Sequence, residues 1–362
     1  MLTKRTKVVV GLSGGVDSSV AAALLKGKGF DVIGIAMEIF DGLVVDKDTR
    51  GHACYGPEEQ EDIEEAASIC KQLAIPFTVI DLKGEYRNHV IDYFRNEYLT
   101  GRTPNPCIVC NQKLKFGFLL EKVKAAGIDF RFFATGHYAR VAQNDGRYLL
   151  KKSADRSKDQ TYFLYRLTQE QLSQTLFPLG SLTKQQVRKI ALSLNLKTAH
   201  RAESQDFIAG GDYTKLFDND EIKAGDIVDD RGNILGRHRG IVHYTLGQRR
   251  GLSIASKRPL YVKKIDTETN RIVVSEQNNL FSKGLIASDL NLIAVDRLDS
   301  PYKVKAKIRF RHNEVDATVS PLGKDKMKVV FNTSQMSVAP GQSVVLYAED
   351  SVFGGGIIEQ AI

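Results

Sequence analysis

The chain has 362 residues, of which 42% are hydrophobic, and a formal net charge of +8 at pH 7. This length is sufficient for two or three domains with apolar cores. No apolar run approaches the roughly 20 residues that cross a bilayer, and residues 1–6 lead directly into a strand-like segment. We therefore expect a cytoplasmic protein without a membrane anchor or leader, and the positive charge favours a polyanionic partner.

The first strand-to-helix turn has the composition of a phosphate cradle: Gly11, Leu12, Ser13, Gly14, Gly15, Val16, Asp17, Ser18. Glycines allow backbone N–H groups to turn inward, hydroxyls add donors, and the following helix contributes its positive end. No lysine lies in this turn, so it is not the P-loop of kinases. An acid beside phosphates, here Asp17, indicates a bridging Mg²⁺. The turn resembles the PP-loop of ATP pyrophosphatases, which implies ATP held with pyrophosphate as the leaving group.

Strands and helices alternate over the first 200 residues. Strands are predicted at 8–12, 31–35, 77–82 and 132–136, with helices at 17–27, 58–73, 85–98, 113–125, 159–167 and 183–194. This alternation is typical of an α/β domain with a parallel, doubly wound sheet. Ligands bind at the carboxyl ends of such strands. Ser13, Met37 and Gly136 lie at or just after these ends, so we expect them to share one nucleotide site.

After residue 200, short strands separated by turns predict small all-β modules. We place the domains at 1–200 (PP-loop and ATP), 201–277 (small β) and 278–362 (β-barrel). Residues 231–265 contain nine basic residues and no acidic residue. Lys303, Lys305, Lys307, Arg309 and Arg311 alternate with apolar residues, which predicts one strand with a basic face that can follow a phosphate backbone.

All four cysteines lie in the first third of the chain. Cys107 and Cys110 form a C-x-x-C motif before a helix that is predicted to open near Asn111. A thiol at a helix start loses its proton easily, so Cys110 is a candidate nucleophile or metal ligand. Cys70, between apolar residues of a predicted helix, is expected to be a buried small hydrophobic residue.

Several further motifs of the chain are specific to one family of enzymes. The chain resembles the bacterial tRNA-specific 2-thiouridylases over nearly its whole length, through the turn described above and segments 101–111, 134–138, 157–160, 243–250, 339–342 and 354–360.

The resemblance implies that ATP adenylates the C2 oxygen of the wobble uridine of tRNA, that pyrophosphate leaves, and that sulfur displaces AMP. The donor is inorganic sulfide or a persulfide-carrying protein. The same resemblance assigns tRNA contacts to Asn105, Pro106, Cys107, His137, Lys158, Asp159, Gln160, Arg309, Arg311 and Gln342. For His137 a structural imidazole is the alternative.

Two departures from the family pattern concern the sulfur chemistry. The second catalytic cysteine, expected shortly after Asp206, is absent, whereas Cys107 replaces an aspartate and Cys54 is additional. Three cysteines can hold a 4Fe-4S cluster with one open iron, so we predict that Cys54, Cys107 and Cys110 ligate one. The alternatives are a zinc site that includes His52, a persulfide relay between Cys107 and Cys110, or no metal.

Two other functions compete with this interpretation. A PP-loop ligase would adenylate a small molecule, and its β modules would serve oligomerisation. A non-enzymatic RNA-binding protein would keep the basic surface and lack turnover.

Overall fold

The structure is a computed structural model that describes residues 6–42, 53–200 and 206–362. The α-helices are α1 Val16–Gly27, α2 Glu59–Gln72, α3 Lys83–Tyr86, α4 Asp92–Leu99, α5 Pro106–Val109, α6 Leu119–Ala125, α7 Thr161–Leu164, α8 Gln169–Ser173 and α9 Lys184–Ser193. Two segments, Arg87–Ile91 and Cys110–Phe118, are π-helical. None of the helices in these ranges is long and apolar enough to cross a membrane.

The strands are β1 Lys7–Gly11, β2 Asp31–Glu38, β3 Ala53–Tyr55, β4 Phe77–Asp81, β5 Phe132–Ala134, β6 Ala139–Asn144, β7 Arg147–Lys152, β8 Thr175–Leu176, β9 Asp206–Ile208, β10 Gly225–Val228, β11 Ile234–His238, β12 Leu260–Asp266, β13 Arg271–Glu276, β14 Phe281–Leu292, β15 Tyr302–Lys307, β16 Val315–Leu322, β17 Lys326–Met336, β18 Ser343–Ala348 and β19 Ser351–Ala361.

The chain divides into two compact units. Unit 1 comprises the described residues within Met1–Val90, Cys107–Asp212 and Asp350–Val352, and unit 2 comprises Ile91–Pro106, Tyr213–Glu349 and Phe353–Ile362. The division into three domains at residues 200 and 277 stays a prediction.

A five-stranded parallel sheet, in the order β4-β2-β1-β5-β8, forms the centre of unit 1. The central strand is the most apolar, and its residues 8–10 have no exposed surface. A strand with neighbours on both sides and helices on both faces is fully buried, which is why β1 is a continuous valine run. The predicted parallel sheet is confirmed, although the sequence did not reveal β8 or the β6–β7 hairpin.

Unit 2 contains two β structures. The first is a four-stranded sheet in the order β11-β10-β13-β12. The second is a barrel of six strands in the order β14-β17-β16-β15-β18-β19, which closes where β14 pairs with β19. Alternate residues fill its interior, so that Val304 and Ala306 are buried while Lys303 and Lys305 are exposed. The prediction of small β modules ending in a barrel is confirmed.

The basic strand is shorter than predicted. It ends at Lys307, because the carbonyl of Arg309 accepts a bond from the N–H of His312 and turns the chain, leaving Arg309 and Arg311 beyond the strand. Lys305 also pairs with a carboxylate, with 3.3 Å between its Nζ and Asp316 Oδ1. The basic face is therefore smaller than the alternation of residues indicates.

The acid-free segment 231–265 is partly neutralised by acids from outside it. Arg258 pairs with Glu276 at 2.9 Å, and Lys263 pairs with Asp230 at 2.6 Å. Both pairs are exposed enough to contribute little to stability.

Candidate nucleotide and sulfur site

A cavity of about 290 Å³ lies in unit 1 at the carboxyl ends of β1, β2 and β5. The structure brings nearly all predicted nucleotide residues to its wall: Gly11, Leu12, Ser13, Gly15, Val16, Asp17, Ser18, Met37 and Gly136. Gly14 is the exception. Edges of this kind are where doubly wound sheets bind ligands.

The loop between β1 and α1 is held by its own hydroxyl groups. Ser18 and Ser19 donate to the carbonyl of Gly15 at 3.1 and 2.8 Å, and the N–H of Ser13 donates to Ser18 Oγ at 3.2 Å. Gly14 has a φ of +66°, which favours glycine, whereas Gly15 has an ordinary φ of −90°. Of the two glycines expected to shape the turn, only Gly14 needs its conformational freedom.

Gly136 lies directly against this loop. A Cβ atom at Gly136 would be 2.7 Å from the backbone nitrogen of Ser18 and 2.8 Å from the carbonyl carbon of Asp17. Both are backbone atoms at the start of α1, so the loop itself would have to shift. Gly136 therefore sets the position of the phosphate cradle.

Asp17 has two partners that sequence reasoning missed. Lys184 Nζ, at the first residue of α9, donates to both Asp17 carboxylate oxygens at 2.8 and 2.7 Å. The hydroxyl of Tyr138 donates to Asp17 Oδ1 at 2.9 Å. Lys184 is only 8% exposed. It lies 167 residues from Asp17, so no local pattern could have linked them.

The C-x-x-C motif is helical from its start. The helix begins at Pro106, not near Asn111 as predicted, because proline suits the first position of a helix. Cys110 consequently lies one turn inside the helical run and is 8% exposed. Burial raises the pKa of the Cys110 thiol to about 11, while Lys115 acts in the opposite direction. The expectation of an acidic helix-start thiol is thus wrong for Cys110.

The π-helical segment brings Lys115 to the three thiols. Hydrogen bonds of a π-helix connect residues five apart, so Cys110 and Lys115 are neighbours along its axis, which an α-helix would not achieve. Burial lowers the pKa of Lys115, but thiolates at Cys110, Cys54 and Cys107 raise it above its usual value. Lys115 also lines the cavity.

The thiols differ in accessibility. Cys54 is exposed and lines the cavity, Cys107 is partly exposed, and Cys110 is buried. Cys70 is 1% exposed within an apolar cluster, which confirms the prediction for it, and burial raises its pKa to about 12.

The predicted cluster is not supported by the ligand geometry. Among residues 6–42, 53–200 and 206–362, no group of three His, Cys, Asp or Glu side chains is arranged to hold a metal ion. Cys54, Cys107 and Cys110 share a neighbourhood around Lys115 without forming a ligand set. The zinc ligand His52 lies outside the described residues.

His137 lines the same cavity, with its Nδ1 2.7 Å from Thr135 Oγ1. Burial, and secondarily the charge of Lys115, holds its pKa well below the usual value. Burial therefore favours the neutral imidazole of His137, which can act as a hydrogen-bonding group at the cavity.

The predicted tRNA residues 158–160 make structural contacts. Asp159 accepts a bond from the N–H of Ser153 at 2.7 Å, and Gln160 Oε1 accepts one from the N–H of Tyr138 at 2.9 Å. Lys158 ends a short 3-10 helix and is partly exposed. Gln160 lines the cavity.

In unit 2, Gln342 supports the segment that precedes the C-x-x-C motif. Its side-chain amide donates to the carbonyls of Thr103 and Pro104 at 3.1 and 2.9 Å. The N–H of Asn105 donates to the hydroxyl of Tyr93 at 3.4 Å. Gln342 thus holds the backbone next to Asn105.

Loss of the Lys115 charge is expected to slow alkylation of Cys110. A Lys115→Met variant should react with iodoacetamide at Cys110 more slowly at pH 8, because loss of the ammonium raises the pKa of the thiol, and each unit of rise reduces the thiolate fraction about tenfold. Peptide mass spectrometry measures the rate at this thiol. Lys113→Met, at an exposed site two residues away, is the control, and equal rates in both variants would show that Lys115 does not act on the thiol.

A parallel sheet, a glycine and hydroxyl loop at the start of α1, and the thiol of Cys54 in the wall of the same cavity define a PP-loop nucleotide-binding protein. Family models match three successive spans: a tRNA methyl transferase HUP domain at residues 6–209, a tRNA methyl transferase PRC-barrel domain at 217–276, and an aminomethyltransferase beta-barrel domain at 282–358.

Relatives that match over nearly their full length carry the name tRNA-specific 2-thiouridylase MnmA. The relative from Acetivibrio thermocellus is 49% identical over 98% of this chain and 99% of its own length. The relative from Carboxydothermus hydrogenoformans is 46% identical over 99% of each chain, and that from Clostridium perfringens is 44% identical over the whole of both. The chain belongs to this family of tRNA 2-thiouridylases, which are sulfurtransferase enzymes.

Proposed function

We propose that the chain catalyses ATP-dependent 2-thiolation of the wobble uridine of tRNA. The C2 oxygen is adenylated, pyrophosphate leaves, and sulfur then displaces AMP. One observation carries the proposal: a single cavity in unit 1 is lined by the phosphate-binding loop, by Cys54 and by Lys115.

The two halves of this site suit the two halves of the reaction. An amide-like oxygen is a poor leaving group until it becomes part of a phosphate ester. A loop that holds pyrophosphate makes that activation possible, and a sulfur atom nearby supplies the nucleophile. The relatives' names state thiolation, and the thiol of Cys54 at the cavity favours it over the methyl transfer in the family models' descriptions.

Asp17 fits the proposed Mg²⁺. A carboxylate has about four acceptor positions. Asp17 Oδ1 accepts from Lys184 and Tyr138, whereas Oδ2 accepts from Lys184 alone among the residues that the structure describes, so Oδ2 keeps a position for a hard cation. When bound, Mg²⁺ would neutralise phosphate charge.

We propose tRNA as the partner because both units carry features suited to it. The resemblance assigns the target base to Asn105, Pro106 and Cys107, and Gln342 fixes the backbone beside them. Lys158, Arg309 and Arg311 are the proposed phosphate contacts.

The sulfur reacts from the group of thiols around Lys115, by one of two routes. The first route would use a 4Fe-4S cluster on Cys54, Cys107 and Cys110, although these three side chains do not form a ligand set among the residues that the structure describes. The second is a persulfide relay between Cys107 and Cys110, which lie three residues apart on one helical face. In the relay, Lys115 would stabilise the anionic sulfur of Cys110, whose pKa its charge lowers.

Metal and sulfide content distinguishes the routes. Protein purified without oxygen would contain iron and acid-labile sulfide near four per chain by the cluster route, and Cys110→Ala would lose both while Cys70→Ala would keep them. Absence of iron and sulfide after attempted reconstitution would leave the relay.

Pyrophosphate release tests the reaction class. We expect release from ATP to depend on added tRNA. Release without tRNA, stimulated by a small carboxylate or a free base, would instead identify an adenylating ligase, and tRNA binding without any ATP turnover would identify a non-enzymatic RNA-binding protein.

A further inference from the structure

Lys184 occupies a position that local helix energetics disfavour. It is the first residue of α9, whose N-terminus is capped by Thr183. Cations are unfavourable at the positive end of a helix. The Asp155 carboxylate accepts the backbone N–H of Lys184 at 2.9 Å, so the backbone is anchored while the side chain extends to Asp17.

The partly buried ion pair between Lys184 and Asp17 also contributes little net free energy to folding. Lys184 is 8% exposed, and removing an ammonium from water offsets much of the attraction to its partner. The Nζ atom lies 2.7 Å from Asp17 Oδ2, and Asp17 lines the cavity beside Ser13 and Ser18. One carboxylate therefore separates this ammonium from the phosphate cradle.

We propose that Lys184 supplies the positive charge that the phosphate loop lacks, by binding the terminal phosphates of ATP and the leaving pyrophosphate. This inference rests on the ATP chemistry proposed above. A lysine ammonium is a compact charge with three rotatable donors on a flexible stem, so it can exchange a carboxylate partner for a phosphate without movement of α9. The charge comes from a helix far along the chain instead of from the loop.

Ligands with and without terminal phosphates test the assignment. By isothermal titration calorimetry, Lys184→Met should bind pyrophosphate and ATP about 10- to 100-fold more weakly, the range expected for lost hydrogen bonds to charged groups. AMP, which lacks the terminal phosphates, should bind within twofold of wild type. Lys184→Arg should retain most of the pyrophosphate affinity, and Lys189→Met, on an exposed face of the same helix, should behave as wild type.

A second variant makes the test independent of how well Lys184→Met folds. Asp17→Asn removes the carboxylate that competes for the ammonium, and its amide oxygen can still accept from Tyr138. In EDTA, Asp17→Asn should bind pyrophosphate more tightly than wild type does. The double variant Asp17→Asn/Lys184→Met should lose that gain.

Two results would overturn the inference: equal weakening of AMP and pyrophosphate in Lys184→Met, which indicates a structural role, or unchanged metal-free pyrophosphate affinity in Asp17→Asn. Neither measurement uses tRNA or sulfur. A protein that fails to thiolate tRNA but shows these binding differences would refute the proposed reaction and leave the role of Lys184 intact.

Discussion

Alanine at position 136 is expected to weaken ATP binding by about 10- to 100-fold. The added Cβ would lie 2.7 Å from the Ser18 nitrogen and 2.8 Å from the Asp17 carbonyl carbon. To relieve these close contacts, the loop must move away from β5. Overpacking of this kind costs about 1–3 kcal/mol. Calorimetric titration with ATP measures the effect, and circular dichroism shows whether the fold is retained.

Gly27→Ala is the matched control for Gly136→Ala. Gly27 ends α1, and a Cβ atom there would have no neighbour within 4 Å, so ATP affinity should not change. Unchanged ATP affinity in Gly136→Ala would mean that the nucleotide does not use the loop in its present position.

Serine at position 110 is expected to reduce tRNA thiolation by at least about 1,000-fold, as removal of a catalytic nucleophile does in other enzymes. A serine hydroxyl neither carries a persulfide nor binds iron as a thiolate does, so both sulfur routes fail. Cys110 is not among the residues that line the cavity, and ATP binding and tRNA-dependent pyrophosphate release should persist. The readouts are 2-thiouridine by mass spectrometry and pyrophosphate by a coupled assay.

Cys70→Ala is the control for Cys110→Ser, because Cys70 is a thiol that packs in the core and does not react. Cys70 lies in the apolar cluster between α2 and the sheet, so its loss should lower stability and leave thiolation unchanged. Full thiolation activity in Cys110→Ser would show that the Cys110 thiol takes no part in the reaction.

The sequence was sufficient where neighbours in the chain determine the structure. The valine run of β1, the glycines and serines after it, and the amphipathic segments that follow predicted the parallel sheet and the cradle, because each depends on local conformation and hydrophobic period. Nearly all predicted nucleotide residues consequently line one cavity.

The sequence was insufficient where contacts between distant residues, or helices of unusual geometry, determine the structure. Lys184 reaches Asp17 through the fold alone. Lys115 faces Cys110 because the helix is π-helical there, whereas a helical period of 3.6 residues would place them on different faces. The basic strand was predicted too long because the turn after Lys307 depends on a backbone bond between Arg309 and His312.

Sulfur transfer with purified components tests the central claim most directly. The protein, ATP, Mg²⁺, unmodified tRNA and either sulfide or a persulfide donor are combined, and the digested tRNA is analysed by mass spectrometry. We expect 2-thiouridine at the wobble position, dependent on ATP, with one AMP and one pyrophosphate formed for each sulfur inserted. Sulfur insertion without ATP, or ATP turnover with each donor that leaves the wobble uridine unchanged, would contradict it.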